Sequence, residues 1–451
     1  MTSAGHADHD DGRSHTPAST DHGPPPFPSG LVLEPFRALR FDPAVAGDLA
    51  TLTCPPYDVI DAAGVRALEL ASDHNVVRLI LPRDEARSGD RYARAAELLA
   101  AWREQGVLRP DSDAALYVYE QSDPAGGHRQ RGLLGALALT PPEDGIVLPH
   151  ENTMSGPVAD RLALYTATAA DLEPIFLVYG GGGATSRAVA DVEGATPLLD
   201  VLLPDGLRHR LWALTDAAVL SAIGRDLAPR TAVIADGHHR YATYLQRQAR
   251  QHEAGRGTGP WDLGLTFLVD ASEFGPQVHA IHRVVPGTDA STLARRAEAG
   301  ARVQVLDADG LSQALTALER AGSTGAAFLL ADGAGQTLRL VTELDPVRLA
   351  KALPTQRSEA WRALDVSALH TYLIPELWGL ADDVDTVGYE HNVEGALTAA
   401  SSTGGTAVLM NPTPVRAVTE VAARGERMPR KSTLFTPKPR TGLVLRDHRD
   451  G

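Results

Sequence analysis

Asp236-Gly237-His238-His239-Arg240 sets a carboxylate, a glycine, two imidazoles and a guanidinium side by side. The apolar run Ala232 to Ala235 precedes it. Tyr241, Tyr244, Leu245 and Ala249 follow at the spacing of one helix face. The pattern reads as a strand, a tight glycine turn and a helix. Unpaired N–H groups in the first helical turn, together with the helix dipole, favour anions. A cationic cluster at that end suits phosphate, or a substrate being phosphorylated. The plainer reading makes Asp236 an N-cap, Gly237 a turn residue and Arg240 a solvated charge.

Three other segments depart from ordinary surface composition. In Cys54-Pro55-Pro56-Tyr57-Asp58, a stiff Pro-Pro turn presents Tyr57 and Asp58. His150-Glu151-Asn152-Thr153 continues through Gly156-Pro157 to Asp160 and Arg161, around one expected helix start. Met428-Pro429-Arg430-Lys431-Ser432-Thr433, followed by Pro437-Lys438, is a basic, hydroxyl-rich strip in an acidic protein. A turn, a satisfied polar pair and a solvated surface are the respective plain readings. His282-Arg283, His370 and His391 read more readily as buried, hydrogen-bonded groups than as ligands.

The chain has 451 residues, 43% hydrophobic and 22% charged, as in a globular protein of two or three domains or one large one. No apolar run approaches a membrane span, and the start lacks a secretory signal pattern, so a cytoplasmic protein is expected. The net charge of −15 argues against a broad nucleic-acid surface, though not against a local basic pocket. Cys54 is the one cysteine, so an intramolecular disulfide and a cysteine-rich zinc site are excluded. It reads as a packed thiol. Residues 1–30, with His6, His9, His15 and His22 among Asp, Ser and Pro, are expected to be a disordered tail.

Strands are expected at Val76–Leu81, Leu116–Tyr119, Leu133–Leu139, Ile175–Tyr179, Leu265–Val269 and Val278–Val285. Others fall at Val303–Leu306, Phe328–Leu330, Leu338–Val341 and Val408–Met410. Helical patterns run from an Asp90 cap through Trp102, and over Leu311–Leu318, Ala360–Leu369 and Val415–Ala423. Gly180 to Gly183 lacks a following Lys-Ser/Thr, so a flexible connection is expected there rather than a Walker loop. The mixture without strict alternation indicates α+β, with mixed sheets and flanking helices. The Gly-rich stretch Ala254–Pro260 suggests a division into 31–255, carrying the Asp236 motif, and 256–447, carrying the basic strip.

Pro55 to Ile60, Ala235 to Tyr241, His282-Arg283 and Met428 to Lys438 together resemble the prokaryotic family catalogued as domain of unknown function 1015. The likeness runs from about Pro35 to Val444. More distantly, Asp236 to Arg240 is similar to the phosphate-contacting loop of the ParB/sulfiredoxin superfamily, nearest its free-serine kinases. That resemblance implies a phosphate-loop unit in which Gly237 to Arg240 contact nucleotide phosphate and Asp236 or a nearby acid acts on the attacking hydroxyl.

The leading expectation is a nucleotide-dependent phosphotransferase acting on a small hydroxylated metabolite, with serine as one candidate. Asp236, His239 and Glu151 are the candidate catalytic residues, any of which could take the hydroxyl proton. Gly237, His238, Arg240, Lys431, Ser432, Thr433 and Lys438 would hold phosphate, and Tyr57, Asp58, His150 and Arg161 the substrate. ATP or ADP is expected, with Mg²⁺ held by phosphates and one or two carboxylates. One alternative is phosphomonoester hydrolysis at a metal on Asp236, His238 or His239 and distant histidines. The other is a nucleotide-binding switch without catalysis. Oligomeric state is left open.

Overall fold

The computed structural model describes residues 29–84, 90–306, 310–333, 335 and 338–450. The four histidines of the expected tail lie outside the described residues. Largely unbroken buried strings build the larger of two main sheets. In chain order its strands are β1 (Leu33–Glu34), β2 (Leu116–Ser122), β3 (Arg129–Ala138), β4 (Val147–Leu148), β5 (Ile175–Tyr179), β6 (Leu199–Leu202), β7 (Arg208–Leu214), β8 (Ala232–Asp236) and β9 (Leu263–Asp270). Across the sheet they run β4-β8-β5-β9-β3-β2-β7-β6, with β1 against the end of β3. The β4–β8 and β5–β9 pairs are parallel and the rest antiparallel, so the sheet is mixed.

Both faces of this sheet are buried, which explains unbroken apolar strings such as Ile175 to Tyr179. On one face, Ile175, Leu177 and Tyr179 pack with α1 (Arg91–Glu104), α2 (Ser155–Thr168), α3 (Gly183–Ala190), α4 (Ala217–Leu227) and α5 (His238–Glu253). Asp90 caps α1 through Tyr92 N–H, as its position indicates. On the other face, Phe176 and Val178 join a core that continues to Phe328, Leu330 and Val408 of the second sheet.

That second sheet holds β10 (His282–Val285), β11 (Arg302–Leu306), β12 (Phe328–Ala331), β13 (Leu338–Thr342), β14 (Gly388–Glu390) and β15 (Thr406–Met410). Its order is β11-β13-β12-β15-β10-β14, antiparallel throughout. The architecture is therefore α+β, with mixed pairing and flanking helices. Among the described residues no helix is long and apolar enough to cross a membrane.

Several expectations are corrected. Val77–Ile80 is a helical turn rather than a strand, with Asn75 accepting from Val77 N–H at 2.9 Å. A short buried apolar run does not reveal its own period. Val278–Val285 is broken at Ala280-Ile281 into the strand Gln277–His279 and β10. Ala360–Leu369 is divided among Glu359–Arg362, Asp365–Ala368 and a π-type helix, Leu369–Leu377, that contains Pro375.

The four-glycine segment is held rather than loose. Gly182 N–H donates to Asp270 at 3.2 Å, and a Cβ at Gly181 would collide with the same carboxylate. The stretch Ala254–Pro260 joins α5, which packs on one face of the larger sheet, to β9, a strand of that sheet. β9, ending at Asp270, is the last strand of that sheet in chain order. Cys54 is fully buried, as a packed thiol should be.

Candidate functional site

Strand β8 ends in a register shift between Ile234 and Asp236, which lifts the Asp236 carboxylate out of the regular pleat. Gly237 follows at φ +92°, a left-handed conformation that glycine adopts without a Cβ penalty, and α5 begins at His238. No side chain caps the first turn of α5, whereas aspartates cap α1 and α4. The turn therefore presents backbone N–H groups at the positive end of a sixteen-residue helix.

Asp236 is held from two sides. Arg240, one helical turn on, donates Nη2 to its Oδ2, and Lys438 Nζ lies 2.5 Å from its Oδ1. The same ammonium lies 2.7 Å from Asp58 Oδ2. Lys438 thus bridges two carboxylates from distant parts of the chain. Burial alone pulls the Lys438 ammonium toward neutrality, but Asp236 and Asp58 outweigh it and hold the group charged, above its ordinary range. At Asp58 burial favours the neutral acid; Lys438 and Arg240 overcome this and keep the carboxyl below its ordinary range.

Arg240 is only 1% exposed. Its Nη1 donates to the Pro174 carbonyl and its Nη2 to Asp236. A guanidinium so enclosed does not face a ligand, so its expected phosphate contact gives way to an anchoring role. Beside it, Tyr57 packs its ring under the Arg161 guanidinium, 4.4 Å from the centroid. Arg161 is buried as well, donating to Asp160 and, at 2.6 Å, to the Ile80 carbonyl. It supports Tyr57 and does not reach out to substrate.

The sequence reading passed over Glu173, which is fully buried and accepts from Tyr57 N–H at 3.0 Å and Thr441 Oγ1 at 3.3 Å. Burial pushes its carboxyl up against the pull of Arg240 and Arg161. A lone glutamate in a loop gives no sequence signal for this role.

The histidines form the other flank. His150 N–H donates to His238 Nε2 at 3.3 Å, and His150 Nε2 meets Thr433 Oγ1 at 2.9 Å. Both rings are buried. Burial holds the His150 imidazole down at about 4 and the His238 imidazole well below its ordinary value, so both are neutral at pH 7. His239 is partly exposed, yet its Nε2 accepts from Met154 N–H at 3.0 Å. A neutral imidazole has one nitrogen lone pair to offer, and that one is taken. His239 therefore stands ready to donate from Nδ1 rather than to accept a substrate proton.

Ser432 and Thr433 are buried too. The Ser432 hydroxyl donates to the Pro429 carbonyl at 2.5 Å, and that of Thr433 meets His150, so neither is turned to a phosphate. Glu151 keeps about a third of its side chain exposed, at 37%, with Oε2 3.9 Å from His238 Nδ1. Burial of the remainder pushes its carboxyl up, opposed by Lys431 and reinforced by Asp236.

The four polar segments thus converge, with Asp58, Glu151, Gly237, Lys431 and Lys438 left accessible. One sequence signal for the lysines was overlooked. Of 42 basic residues only Lys351, Lys431 and Lys438 are lysines. In a chain that otherwise takes arginine, two of its three compact point charges sit here.

Among the described residues no three His, Cys, Asp or Glu side chains gather to hold a metal ion. The candidate ligands face other partners: Asp236 faces Arg240 and Lys438, His238 faces His150, and His239 faces Met154.

Fold and site together describe a mixed α+β protein whose loops gather carboxylates and ammonium groups at a strand-to-helix turn. The chain belongs to the family described as protein of unknown function (DUF1015), whose model matches residues 33–367. Lys431 and Lys438 lie beyond that match. No curated protein matches the chain.

Among solved structures, the chain is similar to a free serine kinase variant in complex with ADP, at 13% identity and TM-score 0.32, over 67% of this chain and 88% of that one. It is similar also to SbnI with a C-terminal truncation, from Staphylococcus aureus, at 10% identity and TM-score 0.33, over 69% and 87%. A conserved hypothetical protein from Pyrococcus furiosus gives 15% identity and TM-score 0.29, over 68% and 94%.

Proposed function

We propose that the protein is a nucleotide-dependent phosphotransferase acting on a small hydroxylated metabolite, serine being the first acceptor to test. The observation that carries this reading is the uncapped start of α5 beside Lys438, which is itself bracketed by Asp58 and Asp236. An N–H-lined turn with an ammonium at its mouth matches a phosphoryl group in charge and shape. In this reading the turn is a ParB/sulfiredoxin-like phosphate loop. Gly237 and the first turn of α5 receive the terminal phosphates of ATP or ADP, and Lys438 and Lys431 neutralise them.

Phosphoryl transfer demands positioning and charge neutralisation more than covalent help from the protein. The acceptor hydroxyl oxygen forms a bond to the terminal phosphorus while the bond to the leaving nucleotide oxygen breaks. The hydroxyl proton passes to Glu151. Asp236 is committed to two cations and His239 has no lone pair to give, whereas Glu151 is accessible and its raised carboxyl is the stronger base. Mg²⁺, which takes most of its ligands from phosphate and water, fits the exposed Asp58 carboxylate and would add charge neutralisation there.

The test is phosphorus NMR of ATP and of ADP with Mg²⁺ and a panel of hydroxy amino acids. Acceptor-dependent appearance of a phosphomonoester, lost in Lys438→Ala, supports the reading. Saturable nucleotide binding without turnover would move the site to a switch, and absence of both would remove nucleotide from it.

A further inference from the structure

We infer that the buried pair Gln121 and Gln130 is the positioning device for Lys438. This rests on Lys438 being the phosphate-facing ammonium of the proposed site. The two glutamines are direct cross-strand partners on β2 and β3, at 1% and 0% exposure. Gln121 Nε2 donates to the Lys438 carbonyl at 2.9 Å. Gln130 Nε2 donates to the neighbouring Pro437 carbonyl at 2.9 Å and to Gln121 Oε1 at 3.0 Å. Two residues along β2 on the same face, Tyr119 accepts from Arg440 N–H at 3.3 Å.

Three adjacent side chains of the sheet therefore grip the backbone on either side of one lysine. Burying two amides in a central strand pair is costly unless they are hydrogen-bonded. An apolar pair could fill the same space and seal the core. It could not fix two successive carbonyls of a segment that has no sheet partner of its own at Pro437 and Lys438. Fixing those carbonyls narrows the range of backbone positions from which the long, flexible Lys438 side chain meets both Asp58 and Asp236.

The first test needs no nucleotide. A brief acetic anhydride pulse on the free protein, followed by peptide mass spectrometry, reads three lysines, with exposed Lys351 as internal reference. Gln121→Met, which keeps similar volume and loses the donor, should speed acylation of Lys438 by about threefold or more, through the lost restraint. Unchanged acylation overturns the inference. The second test is calorimetric ATP binding. Gln121→Met should weaken it by about tenfold and add nothing in a Lys438→Ala background.

A loss that persists without Lys438 means general damage and also overturns the inference. Gln130→Met serves as the second variant if Gln121→Met does not fold. If the unaltered protein binds no ATP, the phosphotransferase reading fails, while the acylation result still decides whether the glutamines place Lys438.

Discussion

Lys438 and Asp236 form an ion pair at 2.5 Å, with 18% and 12% of their side chains exposed. Asp236 is also held by Arg240, so that carboxylate stays paired when an incoming phosphate engages Lys438. Removing it leaves Asp58 and Asp236 facing an incoming anion without their shared cation. Lys438→Ala should weaken ATP binding about tenfold to a hundredfold, the worth of a charge-assisted contact. Lys438→Arg should not restore it, because a planar fork does not fit between two carboxylates placed around a point charge. Isothermal titration calorimetry on both variants decides the matter; full binding by either would exclude the assigned role.

Glu151 and His239 separate by their lone pairs. Glu151→Gln should lower turnover by about a hundredfold or more while leaving ATP affinity nearly unchanged, as expected for loss of a general base. His239→Gln can still accept from Met154 N–H and should stay within about tenfold of the unaltered rate. Steady-state kinetics with the acceptor found by NMR would show it. A His239→Gln variant as inactive as Glu151→Gln would transfer the base to the imidazole.

Away from the site, Asp171 ties the chain together. It is fully buried and meets Arg247 Nη1 at 2.6 Å, Arg446 Nη1 at 3.0 Å and His448 Nε2 at 3.2 Å. Burial favours its neutral form, but Arg247 and His448 outweigh it and hold the carboxyl far below the usual range. Asp171→Asn should cost about 3–5 kcal/mol, because it strands two buried guanidiniums. Urea unfolding of the variant measures this, and a loss below about 1 kcal/mol would show that the cluster relaxes onto other partners.

The neutral histidines set an acid limit. The buried imidazoles of His150 and His282 are both depressed to about 4 from an unfolded value of 6.5. Between those values the unfolded chain binds more protons than the native one, so stability rises with pH. The contribution is complete above 6.5 and is lost as pH falls toward 4. At pH 5 each histidine should withdraw about 2 kcal/mol relative to pH 7. Denaturant unfolding at the two pH values, compared with His150→Gln, tests this. The variant should show a shallower pH dependence, and an unchanged slope would mean that His150 charges freely in the native state.

Much of the frame was legible because it follows from hydrophobic period. The Ala232 run with its following helix, the Ile175 and Phe328 strands and the Asp90 cap all read correctly. Val76–Leu81 did not, since a buried helical turn and a buried strand share one apolar string. Glycine marks Ala254–Pro260 as a loop, while sheet membership of Leu263–Asp270 depends on long-range pairing that no local pattern carries. In the site, residue type was readable and exposure was not. Arg240, Arg161, Ser432 and Thr433 have the right chemistry for anions, but their groups face protein. Glu173, Gln121 and Gln130 carry no local motif, and their roles exist only once the 437–441 segment lies across them.

That segment comes late in the chain. During synthesis the Asp236 turn, its helix and both sheets leave the ribosome before Lys438 does. A protein shortened before Met428 would keep the five-residue motif and most of the core, yet lack the ammonium that joins Asp58 to Asp236. Of the residues in the proposed site, Lys438 is thus the last to be synthesised, and a chain shortened before it would lack the cation that Asp58 and Asp236 share.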